Sequence, residues 1–186
     1  MQSLKIKDII VPINEYATVS QDASLYDAIK ALAKAQMEFD QSRDKHRAIL
    51  VLDNENMVIG KLSQIDVIRG LEPGYRNVDK SLEMNHWALS KKTVSNILMD
   101  LQLWQKPLQD ILKKSDSIHV SDVMHTPKAG EYVSQNASLD EAMHQLVVGQ
   151  HQSLLVVNVN DHKVIGILRL TDVFSTIVKV INQSES

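Results

Sequence analysis

The residues best placed to do chemistry lie in two matching runs. Gly60-Lys61-Leu62-Ser63-Gln64-Ile65-Asp66 and Gly166-Ile167-Leu168-Arg169-Leu170-Thr171-Asp172 each begin with a glycine and end with an acid at the same distance. Both read as a strand turning into a helix. At such a junction backbone amides point outward and the helix dipole favours negative charge, so a phosphate is at home beside Ser63 and Asp66. The same Ser-x-x-Asp spacing is also a capping box, in which hydroxyl and carboxylate satisfy the helix's own first amides without any ligand. Lys61 is either a phosphate ligand or a solvated lysine on a half-exposed strand. Arg169 stands where the first run has Ser63. It either neutralises a polyphosphate by bidentate hydrogen bonding, or fills its own cleft by pairing with an acid such as Glu131 or Asp172. The two halves are therefore expected to differ in what they bind or in whether they bind at all.

Other chemistries find little support. The chain has no cysteine, which excludes disulfides, thiolate metal sites and thiol nucleophiles. Of its seven histidines, His119, His125, His144 and His151 have no HExxH-type or close ligand-pair spacing, so no metal is expected. Gly-x-Ser-x-Gly, Walker and Rossmann glycine patterns are lacking, and no enzyme activity is expected. With 20 basic and 23 acidic residues the net charge of −3 offers no field for a polyanion, so duplex nucleic acid is not an expected partner. No apolar run reaches the roughly 18 residues of a membrane span, and Met1 to Lys5 carry no apolar signal core, so a cytoplasmic protein without membrane contact is expected.

The elements that must position these residues are written twice. Val19-Ser20-Gln21-Asp22-Ala23-Ser24-Leu25 returns as Val133-Ser134-Gln135-Asn136-Ala137-Ser138-Leu139, at an offset of 114 that already holds at Ile6 and Val120. A half-sized unit cannot close a core alone, so two copies should share one. The opening segments, Ile6 to Val11 and Val120 to Met124, lead through a short loop to extended pieces at 17–19 and 131–133; the first of them reads as strand-like. Ser24-x-x-Asp27 and Ser138-x-x-Glu141 then start helices, with apolar stripes on Leu25, Ala28, Ile29, Leu32 and on Leu139, Ala142, Met143, Leu146. Hairpins follow at 48–52 with 57–62 and at 153–157 with 163–168, and second helices at 64–71 and 170–181. The offset falls to 106 by Gly60 and Gly166 because insertions sit in loops.

A repeated β-α-β-β-α unit ending in Gly-hydrophobic-x-Ser/Thr-x-x-Asp resembles the cystathionine-β-synthase (CBS) domain, and two in tandem resemble a CBS pair, or Bateman module. The resemblance covers about residues 4–72 and 118–182. It implies an α/β fold of two CBS domains related by a pseudo-twofold axis, spanning 1–72 and 118–186, with a helical linker at 73–117. It also implies a non-catalytic regulatory module whose clefts take AMP, ADP, ATP or S-adenosylmethionine as a regulatory ligand, with no cofactor required. By the same resemblance Asp66 accepts ribose hydroxyls and Ser63 contacts ribose or phosphate, with Asp172 and Thr171 at the matching place in the second copy. The adenine pocket falls to Ile9, Val11, Ala17 and Ile59 in one copy and to Val123, His125 and Ile165 in the other. Such modules commonly dimerise, so a homodimer serving an unidentified client protein is expected.

Within the linker, Val94, Ile97, Leu98, Leu101 and Trp104 recur at helical spacing, and a short helix should start near Pro107 with Leu108, Ile111 and Leu112 on its apolar side. With both tryptophans, Trp87 and Trp104, this segment either covers a cleft, builds a dimer contact or receives a partner, or it is an elaborate linker on the module's own sheet. The competing expectation is thus an interaction scaffold without a ligand.

Overall fold

The computed structural model describes residues 5–37, 48–72, 74, 75, 99, 103 and 105–184. The first copy comprises β1 (Val11–Pro12), β2 (Thr18–Ser20), α1 (Leu25–Met37), β3 (Ala48–Leu52), β4 (Val58–Ser63) and α2 (Gln64–Leu71). After α3 (Leu108–Lys113), the second copy repeats the pattern in β5 (Tyr132–Ser134), α4 (Leu139–Val148), β6 (Ser153–Val157), β7 (Val164–Arg169) and α5 (Leu170–Ser184). The strands form a three-stranded sheet in the order β2-β3-β4 and a four-stranded one in the order β1-β7-β6-β5. In each sheet a parallel pair, β2 with β3 or β5 with β6, is joined to an antiparallel hairpin.

The apolar runs of β3 and β6 follow from burial on both faces. Ile49 and Val51 face the cluster of Leu25, Ala28 and Leu32 on α1, whereas Leu50 faces the other way, into a cluster with Leu155 of β6. Leu154 and Val156 likewise face Ala142 and Leu146 on α4. Each sheet therefore has its own helices on one side and the other copy on the other.

The strand-like opening segment is a 3-10 turn before it reaches β1, and its counterpart at Val120 is built the same way. Ile6–Asp8 and Val120–Asp122 are single 3-10 turns, closed by Ile9 N–H on the Ile6 carbonyl (3.0 Å) and Val123 N–H on the Val120 carbonyl (3.1 Å). The reason is that each segment crosses to the other copy and has no strand beside it to pair with along its length. Fully buried Ile6 lies in the second copy's core with Val133, Leu146 and Leu154, and its counterpart Val120 lies in the first copy's core with Leu25, Leu32 and Ile49. Backbone bridges repeat the exchange, joining Lys5 to Ser138 and Ser24 to His119. Neither copy closes its core without the other's leading segment.

The crossing also explains the duplicated glycines. Val11 of β1 pairs with Ile167 beside Gly166, and its counterpart His125 pairs with Lys61 beside Gly60. A Cβ on Gly166 would stand 2.6 Å from the Val11 carbonyl oxygen, and one on Gly60 would stand 2.6 Å from the Met124 sulfur and 3.1 Å from the His125 carbonyl oxygen. Glycine is there because another chain segment passes where a side chain would be.

Helix starts follow local chemistry. The Asp27 amide donates to Ser24 Oγ (3.1 Å), whose hydroxyl donates to Asp27 Oδ2 (3.0 Å), and the Glu141 amide donates to Ser138 Oγ (3.2 Å). Replacing Ser24 with alanine should cost about 1 kcal/mol of stability, read as a lower urea midpoint with an unchanged slope. Helix α3 starts after Pro107 as expected, but only Ile111 is fully buried, while Leu108 is exposed. The expected helix through Val94, Ile97, Leu98, Leu101 and Trp104, and the Trp87 side chain, fall outside the described residues. No described helix is long and apolar enough to cross a membrane.

Candidate ligand cleft

A cleft of about 480 Å³ opens between the two copies where β4 passes into α2 and β7 into α5. Of the residues expected to bind ligand, Lys61, Ser63, Asp66, His125, Arg169 and Thr171 line it. The expected adenine-pocket residues Ile9, Val11, Ala17 and Val123 do not line this cleft. Val11 is buried in the cluster between the sheets, Ile9 packs on the second copy's core, and Ala17 and Val123 pack on the first copy's core. Ile59 and Ile165 likewise turn to their own cores, as strand alternation about Gly60 and Gly166 requires. Tyr16, Arg69 and the turn from Gln150 to Ser153 also line the cleft. Arg69 was accessible to helical periodicity, lying three residues after Asp66, but nothing local marks Tyr16 or Gln150.

Ser63 and Asp66 form the complete capping box. The Ser63 amide and hydroxyl both donate to Asp66 Oδ2, at 2.8 and 2.5 Å, and the Asp66 amide donates to Ser63 Oγ at 3.4 Å. Asp66 is only 9% exposed yet borders the cleft. Among the described residues no hydrogen bond reaches its Oδ1. Capping and a second acceptor role are thus compatible in one side chain.

The second copy differs. Arg169, 6% exposed, donates from Nε to Asp172 Oδ2 (2.6 Å) and from Nη2 to Asp172 Oδ1 (2.5 Å), so both carboxylate oxygens are engaged. Of the alternatives open for Arg169, its salt bridge is to Asp172 and not to Glu131. Asp172 itself is not among the cleft-lining residues. Nearby, burial pushes the Tyr16 phenol up to about 12, with Arg169 lowering and Asp172 raising it, so Tyr16 is neutral at physiological pH.

Glu131 has a different set of partners. Only 4% exposed, it accepts from Lys61 Nζ on Oε2 (2.6 Å), while His125 Nε2 (2.6 Å) and the Lys128 amide (3.1 Å) reach Oε1. Burial pushes its carboxyl up, but hydrogen bonds from Lys61 and His125, the Lys128 amide and the Lys61 charge outweigh it and hold it at about 2. Lys61 is therefore neither simply solvated nor free for a phosphate. This trio has an apolar twin: the repeat puts Ile167, Val11 and Ala17 where Lys61, His125 and Glu131 stand. Among the described residues no group of His, Asp and Glu could hold a metal ion.

Two exchanged β-α-β-β-α units around a shared cleft, with an acid at the start of each closing helix, define a tandem-repeat α/β fold. The CBS-domain family model matches residues 6–73 and 120–179, and the chain belongs to the CBS-domain family as a tandem pair. Among solved structures, the CBS-pair protein CBSX2 from Arabidopsis thaliana matches with a TM-score of 0.61 and 20% identity, over 97% of this chain and 99% of that one. CBSX2 in complex with AMP matches with a TM-score of 0.58 and 19% identity, over 95% and 97%. The CBS domain of a bacterial CNNM/CorC family Mg2+ transporter in complex with ATP matches with a TM-score of 0.59 and 15% identity, over 94% and 87%. Comparison with curated protein sequences returned no match.

Proposed function

We propose that the chain is a non-catalytic regulatory module that binds an adenine nucleotide in the cleft between its two CBS domains. The observation that carries this reading is the Asp66 carboxylate at the edge of the cleft, which among the described residues spends only Oδ2 on its capping box. Its second oxygen offers an acceptor to sugar hydroxyls. The complexes of CBSX2 with AMP and of the transporter CBS domain with ATP support the ligand class. Because residues of both copies line the cleft, a ligand that prefers one arrangement of the copies shifts their equilibrium toward it, and a client protein reads the change. On this reading residues 1–72 and 118–186 are the two domains, 73–117 is their linker, and the protein works in the cytoplasm.

Titration calorimetry of ligand-stripped protein with AMP, ADP, ATP and S-adenosylmethionine tests the proposal. Saturable binding of at least one nucleotide is expected, and Asp66→Asn should weaken it roughly 5–150-fold, the equivalent of about 1–3 kcal/mol of hydrogen bonding. Absence of heat from all four at millimolar concentration sinks it.

A homodimer is the second part of this reading. Ile68 on α2 and Phe174 at the matching position of α5 are 49% and 64% exposed, and Val180 and Ile181 on α5 are exposed as well. Exposed apolar faces on both closing helices fit a self-complementary contact. Light scattering should give a dimer mass for the wild type and a monomer mass for Phe174→Glu.

A further inference from the structure

We propose that the chain binds one nucleotide, on the Ser63–Asp66 side of the cleft, because Arg169 occupies the carboxylate that would serve a second. This rests on the nucleotide-binding reading above and adds stoichiometry and the residue that sets it. The two closing helices carry equivalent acids, but the acids are in different states. Asp66 is held through one oxygen by the Ser63 amide and hydroxyl, borders the cleft, and takes no hydrogen bond from the described residues on Oδ1. Asp172 is held through both oxygens by a single guanidinium, at 2.6 and 2.5 Å. A vicinal diol donates two hydrogen bonds and needs an acceptor oxygen that is not already saturated. To reach Asp172 it would have to displace a bidentate, charge-assisted pair whose arginine is almost wholly buried.

The difference comes from one position. Serine at 63 caps its helix and needs only one carboxylate oxygen in return; arginine at 169 spans the same three-residue gap with a fork that takes both. Arg169 is thus an internal occupant of the second subsite and determines how many ligands the module carries.

Calorimetry with AMP on the full chain, stripped of bound ligand, tests this, with circular dichroism melts as the check on folding. Wild type should bind one AMP per chain. Arg169→Ser restores a Ser-x-x-Asp box in the second copy and should bind two. Asp66→Asn in the wild-type background should weaken the single event by roughly the same 5–150-fold, and in the Arg169→Ser background should leave one event intact at the opened subsite. If Arg169→Ser does not fold, Arg169→Gln, which keeps length and loses the bidentate charge pair, takes its place with the same expectation. Two AMP per wild-type chain, or a single event that survives Asp66→Asn in the wild type, overturns the assignment while leaving nucleotide binding standing. A stoichiometry of one in both position-169 variants, with folding intact, overturns the role of Arg169. No AMP, ADP or ATP binding in any form removes the functional reading itself and this inference with it.

Discussion

Replacing Glu131 with alanine is expected to lower the unfolding free energy by about 3 kcal/mol, the usual range for stripping one member from a buried charged pair. For a chain of this length that amounts to a fall in Tm of about 6–12 °C. The cost arises because Lys61, with a side chain 16% exposed, loses the carboxylate that compensates its desolvation, and His125 loses its partner at the same time. The trio also sits on the backbone bridge through which the second copy's leading segment is tied to β4, where the Lys61 amide donates to the His125 carbonyl (3.0 Å) and the His125 amide to the Lys61 carbonyl (2.9 Å). The effect has a pH signature. Glu131 titrates at about 2 in the folded chain against an ordinary 4.5, so the folded state favours its ionised form. The resulting stability is fully present above pH 4.5 and is lost as the pH falls toward 2, by about 3 kcal/mol in all. Urea melts at pH 6, 4 and 3 should therefore show the gap between wild type and Glu131→Ala closing as acid is added. The repeat also supplies a rescue. Ile167, Val11 and Ala17 hold the equivalent positions in the repeat, so the triple variant K61I/H125V/E131A replaces the charged trio by its apolar counterparts and should recover most of the loss. A triple variant no more stable than the single one at pH 6 would show that the trio is not interchangeable with its twin.

Alanine at Gly166 should cost about 3 kcal/mol, and alanine at Gly60 about 1 kcal/mol, although the two glycines occupy the same place in the repeat. At Gly166 the new methyl meets the Val11 carbonyl oxygen at 2.6 Å, and relief requires moving the β1 backbone off β7. At Gly60 the contact at 2.6 Å is with the Met124 sulfur, a soft and flexible side chain that can swing aside, and the nearest backbone oxygen is at 3.1 Å. Chemical denaturation of the two single variants measures the difference directly. Equal losses would mean that Met124 is as immobile as backbone.

Much of the fold was legible because it depends on neighbours in the chain. Helix starts at Ser24, Ser63 and Ser138 follow from a hydroxyl reaching an amide three residues on, and the hairpins follow from β-rich runs bracketing turn formers. The strand edges at 48–52 and 153–157, and the helix at 64–71, coincide with their sequence expectations. The segment at Ile6 did not, because its apolar character reflects a destination in the other copy and not membership of a sheet.

The candidate site divides in the same way. Its polar floor, Lys61, Ser63, Asp66, Arg169 and Thr171, was readable from the duplicated glycine-to-acid spacing, since a strand end and a helix start fix where those side chains emerge. The apolar wall was not, because Val11, Ala17 and Val123 could serve core or cleft equally well until the crossing of the leading segments was known.

The sequence by itself determined that there are two copies, what elements each contains, and that Arg169 breaks their equivalence. Only the tertiary structure decided that the copies exchange their leading segments, that Arg169 takes Asp172 while Glu131 takes Lys61 and His125, and that Tyr16 reaches the cleft. The physical reason is range. Caps, turns and stripes are settled within about four residues of chain, where backbone geometry leaves few choices. The Lys61 partner of Glu131 and the neighbours of Gly60 and Gly166 lie across the junction between the copies, where position depends on how two whole units pack.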